Sequence, residues 1–245
     1  SGYPIIGLPI TGFQRRLIDK RNFIFPFKLL YSLIKSLIIV LKFKPDIVVG
    51  TGGYASGPLL FVASKMGIPS LIQEQNSYPG VTNKLLSKIT NKICVAYPEM
   101  EKFFPKDKIL FSGNPIRQDL QDISKLKQES FNHFKFDTEK TTILVVGGSL
   151  GALTINKTME KFVKNFPSGI QLLWQTGSSF YRQAANYESE NIRVMKFISR
   201  MDLAYSLADV VISRAGASTI SELCLVAKPS ILVPSPNVSE DHQTK

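Results

Sequence analysis

Arg214-Ala215-Gly216-Ala217-Ser218-Thr219-Ile220-Ser221-Glu222 is the stretch whose residue types and spacing fit chemistry best. A glycine followed by small residues opens a helix whose first amides are unpaired, and such amides favour a phosphate or diphosphate. Glu222, one turn further in, is a carboxylate able to accept hydrogen bonds from vicinal sugar hydroxyls. Together they suggest a site for a sugar nucleotide. A small-residue turn also serves close packing alone in many α/β proteins, so the neighbouring residues decide between the two.

Two further glycine turns follow apolar runs, Gly50-Thr51-Gly52-Gly53 and Gly147-Gly148-Ser149-Leu150-Gly151-Ala152. Each lets backbone amides approach phosphate. The G-x-G-x-x-G pattern of dinucleotide sites is absent, as is the G-x-x-x-x-G-K-[ST] loop of phosphoryl transfer. No D-x-D pair is present to hold a divalent ion against a sugar diphosphate, and no metal site is expected. A leaving group is then stabilised by amides and cations, with Arg117 and Arg214 as candidates, although an arginine at a strand end is more often a structural ion-pair partner. His133 and His242 are the only histidines, and no Ser/His/Asp or Cys/His set follows from spacing.

The elements that must position these residues alternate strand and helix. Expected strands are Pro4 to Pro9, Pro45 to Gly50, Ile68 to Gln73, Lys92 to Ala96, Ile109 to Phe111, Thr141 to Val146, Ile170 to Trp174, Ile192 to Met195, Val210 to Ile212 and Ser230 to Val233. Glu74-Gln75-Asn76 stands at the carboxyl end of a strand, where open α/β sheets bind ligands. Residues 118–140 are polar and charged and read as a crossing between two domains. The division is therefore 1–117, a crossing at 118–140, and 141–245, giving two parallel-sheet domains facing across a cleft. With 245 residues, 44% hydrophobic and 20% charged, the chain is long enough for both. Cys94 and Cys224 lie far apart in apolar runs and are expected to be buried free thiols of a reducing compartment.

The net charge of +11 is concentrated near the start, where Arg15, Arg16, Lys20, Arg21, Lys28, Lys35, Lys42 and Lys44 stand against Asp19 alone. From Pro26 to Phe43 the pattern is helical, with Leu30, Leu33, Ile34, Leu37, Ile38 and Leu41 on one side and Lys28, Lys35 and Lys42 on another. The uninterrupted apolar run falls short of a membrane span, which needs about 20 residues. Either the helix packs on a sheet or, with Phe23, Phe25 and Phe27 beside lysines, it lies on an anionic surface. The absence of an initiator methionine and the abrupt end at Lys245 give the expectation of a fragment cut at both ends.

G-T-G-G-Y-A-S-G-P at 50–58, Q-E-Q-N at 73–76, G-N-P-I-R at 113–117, V-G-G-S-L-G-A at 146–152, W-Q-T-G at 174–177, R-A-G-A-S-T-I-S-E at 214–222 and E-D-H-Q at 240–243 resemble, in order over the whole chain, the MurG family of glycosyltransferases. The resemblance implies a GT-B fold of two Rossmann-like domains, truncated here at both termini. It implies inverting, metal-independent and cofactor-free transfer of N-acetylglucosamine from UDP-N-acetylglucosamine to lipid I, forming lipid II. It also implies a peripheral place on the cytoplasmic face of a bacterial membrane, held to the anionic inner leaflet through Phe23, Phe25, Phe27, Lys28 and Lys35, with no nucleic-acid partner. The donor is expected on the second domain and the lipid acceptor on the first.

Carried over by motif, Asn76 and Arg117 are donor contacts from the first domain and Ser149 lies on the diphosphate side. Ile198 resembles the residue whose backbone meets uracil. Ala217, Ser218, Thr219, Ile220, Ser221 and Glu222 match the segment around ribose and diphosphate, and His242 with Gln243 the polar pair near the N-acetylglucosamine. The family's G-G-T-G-G-H loop, with its candidate base, is expected before Ser1, and Gln73 stands where the family has histidine. Within this chain Glu74 is the first candidate base. A same-fold 2-epimerase or natural-product glycosyltransferase, and a non-catalytic membrane-docking module, are the alternatives; the basic, aromatic segment 13–44 argues for a lipid-linked acceptor.

Overall fold

Short runs rich in valine, isoleucine and leucine form parallel strands, and the stretches between them form most of the helices that cross from strand to strand. The computed structural model describes residues 3–11 and 20–235, apart from the side chains of residues 20–22. The chain forms two compact units that divide between Asn114 and Pro115.

The first unit runs α1 (Lys20–Phe43), β1 (Val48–Gly50), α2 (Ser56–Lys65), β2 (Ser70–Glu74), α3 (Val81–Leu86), β3 (Lys92–Val95) and β4 (Ile109–Phe111). Its parallel sheet has the order β1-β2-β3-β4. Val48, Ile72, Ile93 and Val95 pack with Leu60 and Ala63 of α2 and with Leu86, Met100 and Phe104. Residues 4–9 form no strand. Two prolines deprive this stretch of ladder donors, and its Gly7 carbonyl accepts a hydrogen bond from Lys35 Nζ at 2.8 Å.

α1 begins before Pro26, which lies inside it, and it packs on α2 rather than on the sheet. The face packed on α2 carries Ser32, Ser36 and Val40, one turn apart and buried, while Leu30, Ile34, Leu37, Ile38 and Leu41 are exposed. Small side chains let the two helices approach closely, so the branched residues are left outside. Phe23–Phe43 is also long and apolar enough to cross a membrane, by length and composition alone. The shortness of the uninterrupted apolar run therefore does not exclude a span; the packing on α2 and the Lys35–Gly7 contact favour a surface helix.

The second unit contains α4 (Lys127–Phe134), β5 (Thr141–Val146), α5 (Leu153–Phe162), β6 (Ile170–Gln175), α6 (Ser178–Ala184), β7 (Ile192–Met195), α7 (Met201–Leu207), β8 (Val210–Arg214), α8 (Ala217–Val226) and β9 (Ser230–Val233). The parallel order is β7-β6-β5-β8-β9. Alternation along β5 sends Leu144 and Val146 to a core with Leu203, Leu207 and Leu223, and Val145 to the opposite core with Ile155, Met159, Trp174 and Phe180. Residues 118–140, expected as an inter-domain crossing, supply Leu120, Ile123, Phe131, Phe134 and Phe136 to the first of these cores. Cys94 is half-buried and Cys224 is exposed on α8, so the two thiols are free as expected but are not buried.

The turn after β5 and the turn after β6 interlock through backbone. A Cβ on Gly151 would lie 1.9 Å from the Thr176 carbonyl oxygen, and one on Gly177 would lie 2.1 Å from that of Leu150; both glycines have positive φ. Gly151→Ala is therefore expected to destabilise the second unit by about 2 kcal/mol or more. Gly169→Ala, with nothing within 4 Å of its Cβ, should change stability by no more than about 0.5 kcal/mol. Chemical denaturation of the two variants checks the contrast.

Candidate functional site

In the second sheet the chain passes from β5 outward through β6 to β7 and then returns to place β8 on the other side of β5. The carboxyl ends of β5 and β8 thus form a topological switch point, the place where open α/β sheets take ligands. Val146 pairs in register with Ser213, so the glycine turn 147–151 and the start of α8 emerge beside each other. Two of the three glycine turns singled out by sequence are brought together this way.

α8 has Gly216 at its N-cap, in extended conformation, with no side-chain cap. The Ile220 amide returns to the Gly216 carbonyl at 2.9 Å, which leaves the amides of Ala217, Ser218 and Thr219 as the unpaired first-turn donors. Ser221 donates its hydroxyl to the Ala217 carbonyl at 3.0 Å. Ser149 is exposed on the neighbouring turn, which the Gly151 amide closes on the Gly148 carbonyl at 2.9 Å. Arg214 Nη1 donates to the carbonyls of Val233 and Pro234, at 3.3 and 2.8 Å, so its guanidinium ties the end of β8 to the end of β9. These partners are backbone carbonyls and not a carboxylate, so the contact is structural but is not the ion pair that the sequence offered as the alternative.

Glu222 lies on α8 with its carboxylate divided between two partners. The Tyr205 hydroxyl donates to Oε2 at 2.9 Å, and Arg117 Nε stands 3.6 Å from Oε1. Arg117 was expected to reach over from the first domain; it belongs to the second unit, because Ile116 and Leu120 on either side of it pack on that core. Ile198 is buried and its N–H donates to Gln175 Oε1 at 2.8 Å, while Gln175 Nε2 donates to the Gly148 carbonyl at 3.0 Å. One buried carboxamide therefore joins the Ile198 backbone to the glycine turn. Sequence reasoning quoted Gln175 only as part of a motif and did not mark Tyr205; a polar residue ending a buried strand was the available signal for the first, and none existed for the second.

In the first unit, Glu74 is 3% exposed and its carboxylate accepts four N–H bonds. Oε1 takes the Asn76 backbone amide and Asn76 Nδ2, and Oε2 takes the Gly80 amide and Asn83 Nδ2. Glu74 thus organises the loop that carries Asn76, and to take a proton as a base it must give up one of these bonds. Asn114 Nδ2 to the Gln75 carbonyl and Gln73 Nε2 to the Gly113 carbonyl, both 3.1 Å, hold the same loop to the end of β4. Among the described residues, no three His, Cys, Asp or Glu side chains converge as a metal-ligand set. His242 and Gln243 lie outside the described residues, as do Arg15 and Arg16.

Two parallel α/β units, one with a glycine turn and an uncapped helix start at its switch point, are the architecture of a two-domain glycosyltransferase, and the comparisons with known proteins agree. Residues 1–95 match the glycosyltransferase family 28 N-terminal domain and residues 142–245 the glycosyltransferase family 28 C-terminal domain. The UDP-N-acetylglucosamine--N-acetylmuramyl-(pentapeptide) pyrophosphoryl-undecaprenol N-acetylglucosamine transferase of Flavobacterium psychrophilum is 55% identical over 247 residues, covering 100% of this chain and 67% of that protein. The protein of the same name from Parabacteroides distasonis is 55% identical over 254 residues, covering 100% and 68%. The crystal structure of Acinetobacter baumannii MurG is similar with a TM-score of 0.65 at 32% identity, covering 89% of this chain and 61% of that one. The chain belongs to the MurG family within glycosyltransferase family 28. It spans about two thirds of the length of these relatives.

The Glu74 cluster yields a stability test. Glu74→Gln replaces an acceptor oxygen by a donor and leaves at least one of the four N–H groups without an acceptor. The expected cost is about 1–3 kcal/mol, measured by urea unfolding. A variant as stable as the parent would show that the carboxylate does not hold the loop.

Proposed function

We propose that this chain carries the acceptor-side and donor-side units of an inverting hexosyltransferase that moves N-acetylglucosamine from UDP-N-acetylglucosamine to lipid I, forming lipid II in peptidoglycan synthesis. The observation that carries this reading is the placement of Glu222 one turn inside an uncapped helix start at the β5/β8 switch point. The relatives at 55% identity, named as N-acetylglucosamine transferases acting on a pyrophosphoryl-undecaprenol acceptor, support the reaction and its membrane setting.

In this reading Glu222 accepts hydrogen bonds from the ribose hydroxyls, and the amides of Ala217, Ser218 and Thr219 face the diphosphate together with Ser149. Ile220 and Ser221 hold the turn of α8 between them. The Ile198 carbonyl meets uracil, since its N–H is given to Gln175. Arg117 adds positive charge beside the nucleotide, and His242 with Gln243 contacts the N-acetylglucosamine. The acceptor hydroxyl attacks the anomeric carbon from the face opposite the diphosphate, the bond to the diphosphate oxygen breaks, and the hydroxyl proton passes to a general base, for which Glu74, on release of one of its N–H bonds, is the candidate among the described residues. The charge that gathers on departing UDP is met by helix-start amides that are oriented beforehand, which is why the reading needs no divalent ion.

α1 is the membrane-facing element in this reading. Phe23 and Phe27 are 74% and 75% exposed and continue into Leu30, Ile34, Ile38 and Leu41, whereas Phe25 is half-buried and turned inward. Lys28 and Lys35 are also half-buried and flank that apolar face. The protein then sits peripherally on the cytoplasmic face.

Two measurements test the two halves of the proposal. Glu222→Ala should weaken UDP binding about tenfold or more by calorimetry, from loss of charge-assisted hydrogen bonds of about 1.5–3 kcal/mol; unchanged affinity removes the ribose assignment. Sedimentation with anionic liposomes should fall as salt rises, and Phe27→Ser with Leu30→Ser should reduce it about tenfold or more, given about 1.5–3 kcal/mol per buried apolar side chain. Equal binding to neutral liposomes at high salt would remove the electrostatic part.

A further inference from the structure

Glu222 is a long side chain near the protein surface, and its use as a ribose ligand requires that something fix it before ligand arrives. The two partners of its carboxylate are unequal. Arg117 is 42% exposed, stands 3.6 Å from Oε1 and is shared with Asp119 at 3.7 Å, so it forms a loose surface pair. Tyr205 is 1% exposed and donates to Oε2 at 2.9 Å.

The platform beneath Tyr205 is fixed in turn. α7 carries Leu203, Ala204 and Leu207 in the core; the Ser206 hydroxyl donates to the Ile123 carbonyl at 2.7 Å, and buried Asp202 accepts Arg200 Nε and Nη2 at 2.7–3.1 Å. Burial, with the Glu222 carboxylate beside it, pushes the Tyr205 hydroxyl above the ordinary phenol range, so it stays a donor.

We propose that Tyr205 is a positioning residue for nucleotide recognition: it ties down one carboxylate oxygen of Glu222 and so presents the other, Oε1, to the ribose. This rests on the ribose assignment made for Glu222 above. Tyr205 itself touches no ligand in this account. Its hydroxyl removes the rotameric freedom Glu222 would otherwise lose on binding.

The test compares UDP with its 2′,3′-dideoxy analogue by calorimetry on the whole chain. The parent should prefer UDP; Tyr205→Phe should weaken UDP about tenfold while leaving the dideoxy analogue within about twofold. In a Glu222→Ala background the same substitution should change UDP affinity by no more than about twofold. A parent that does not distinguish the two ligands overturns the ribose assignment and this proposal with it. A parent that distinguishes them, together with a Tyr205→Phe variant that does so equally well or that loses both ligands alike, overturns the positioning role alone. If Tyr205→Phe does not fold, Glu222→Asp gives the second reading, because it draws the carboxylate back from the hydroxyl by one methylene while keeping its charge. It should bind UDP as weakly as Glu222→Ala, and parental affinity would overturn the proposal.

Discussion

The in-register pairing of β5 with β8 is the constraint on which the second unit depends. Because Val146 lies opposite Ser213, two turns separated by more than sixty residues in sequence leave the sheet together. Neither turn alone is more than a small-residue bend. Side by side they leave the sheet at the carboxyl ends of β5 and β8, in the middle of the β7-β6-β5-β8-β9 order, with Ser149 on one turn and the start of α8 on the other.

Much of this architecture is legible in the sequence because strand and helix alternate with clear punctuation. Val48, Val210 and the run Thr141 to Val146 form strands as expected, and the glycines at 52, 147 and 216 mark the turns after β1, β5 and β8. Residues 4–9 mislead because Ile5, Ile6 and Leu8 are apolar while two prolines remove the donors a strand requires. Residues 118–140 mislead in the other direction: the stretch is polar on average, yet its few aromatic and aliphatic residues are spaced so that they all enter one core.

The site was legible as motifs but not as contacts. Nothing in the local sequence connects Tyr205, inside an apolar helix, with Glu222, or Gln175 with both Gly148 and Ile198, since these pairings arise only when strands are placed next to one another. Glu74 shows the same limit: a carboxylate at a strand end reads as free chemistry, and only the folded loop shows its oxygens engaged by four N–H groups. In α1 the apolar periodicity was read correctly, but periodicity does not say which side faces inward. Serines at helical spacing, easily passed over, choose the packed face.

The interlock of Gly151 with Thr176 and of Gly177 with Leu150 bears on how the second unit answers a ligand. Backbone pressed on backbone has no side-chain rotamers to absorb a displacement, so the turn after β5 and the turn after β6 move as a single body or not at all. Gln175 adds a hydrogen-bonded strut between the same turn and Ile198. A loop restrained in this way has already lost its disorder during folding, so a ligand that docks on it spends little of its interaction energy on ordering the loop.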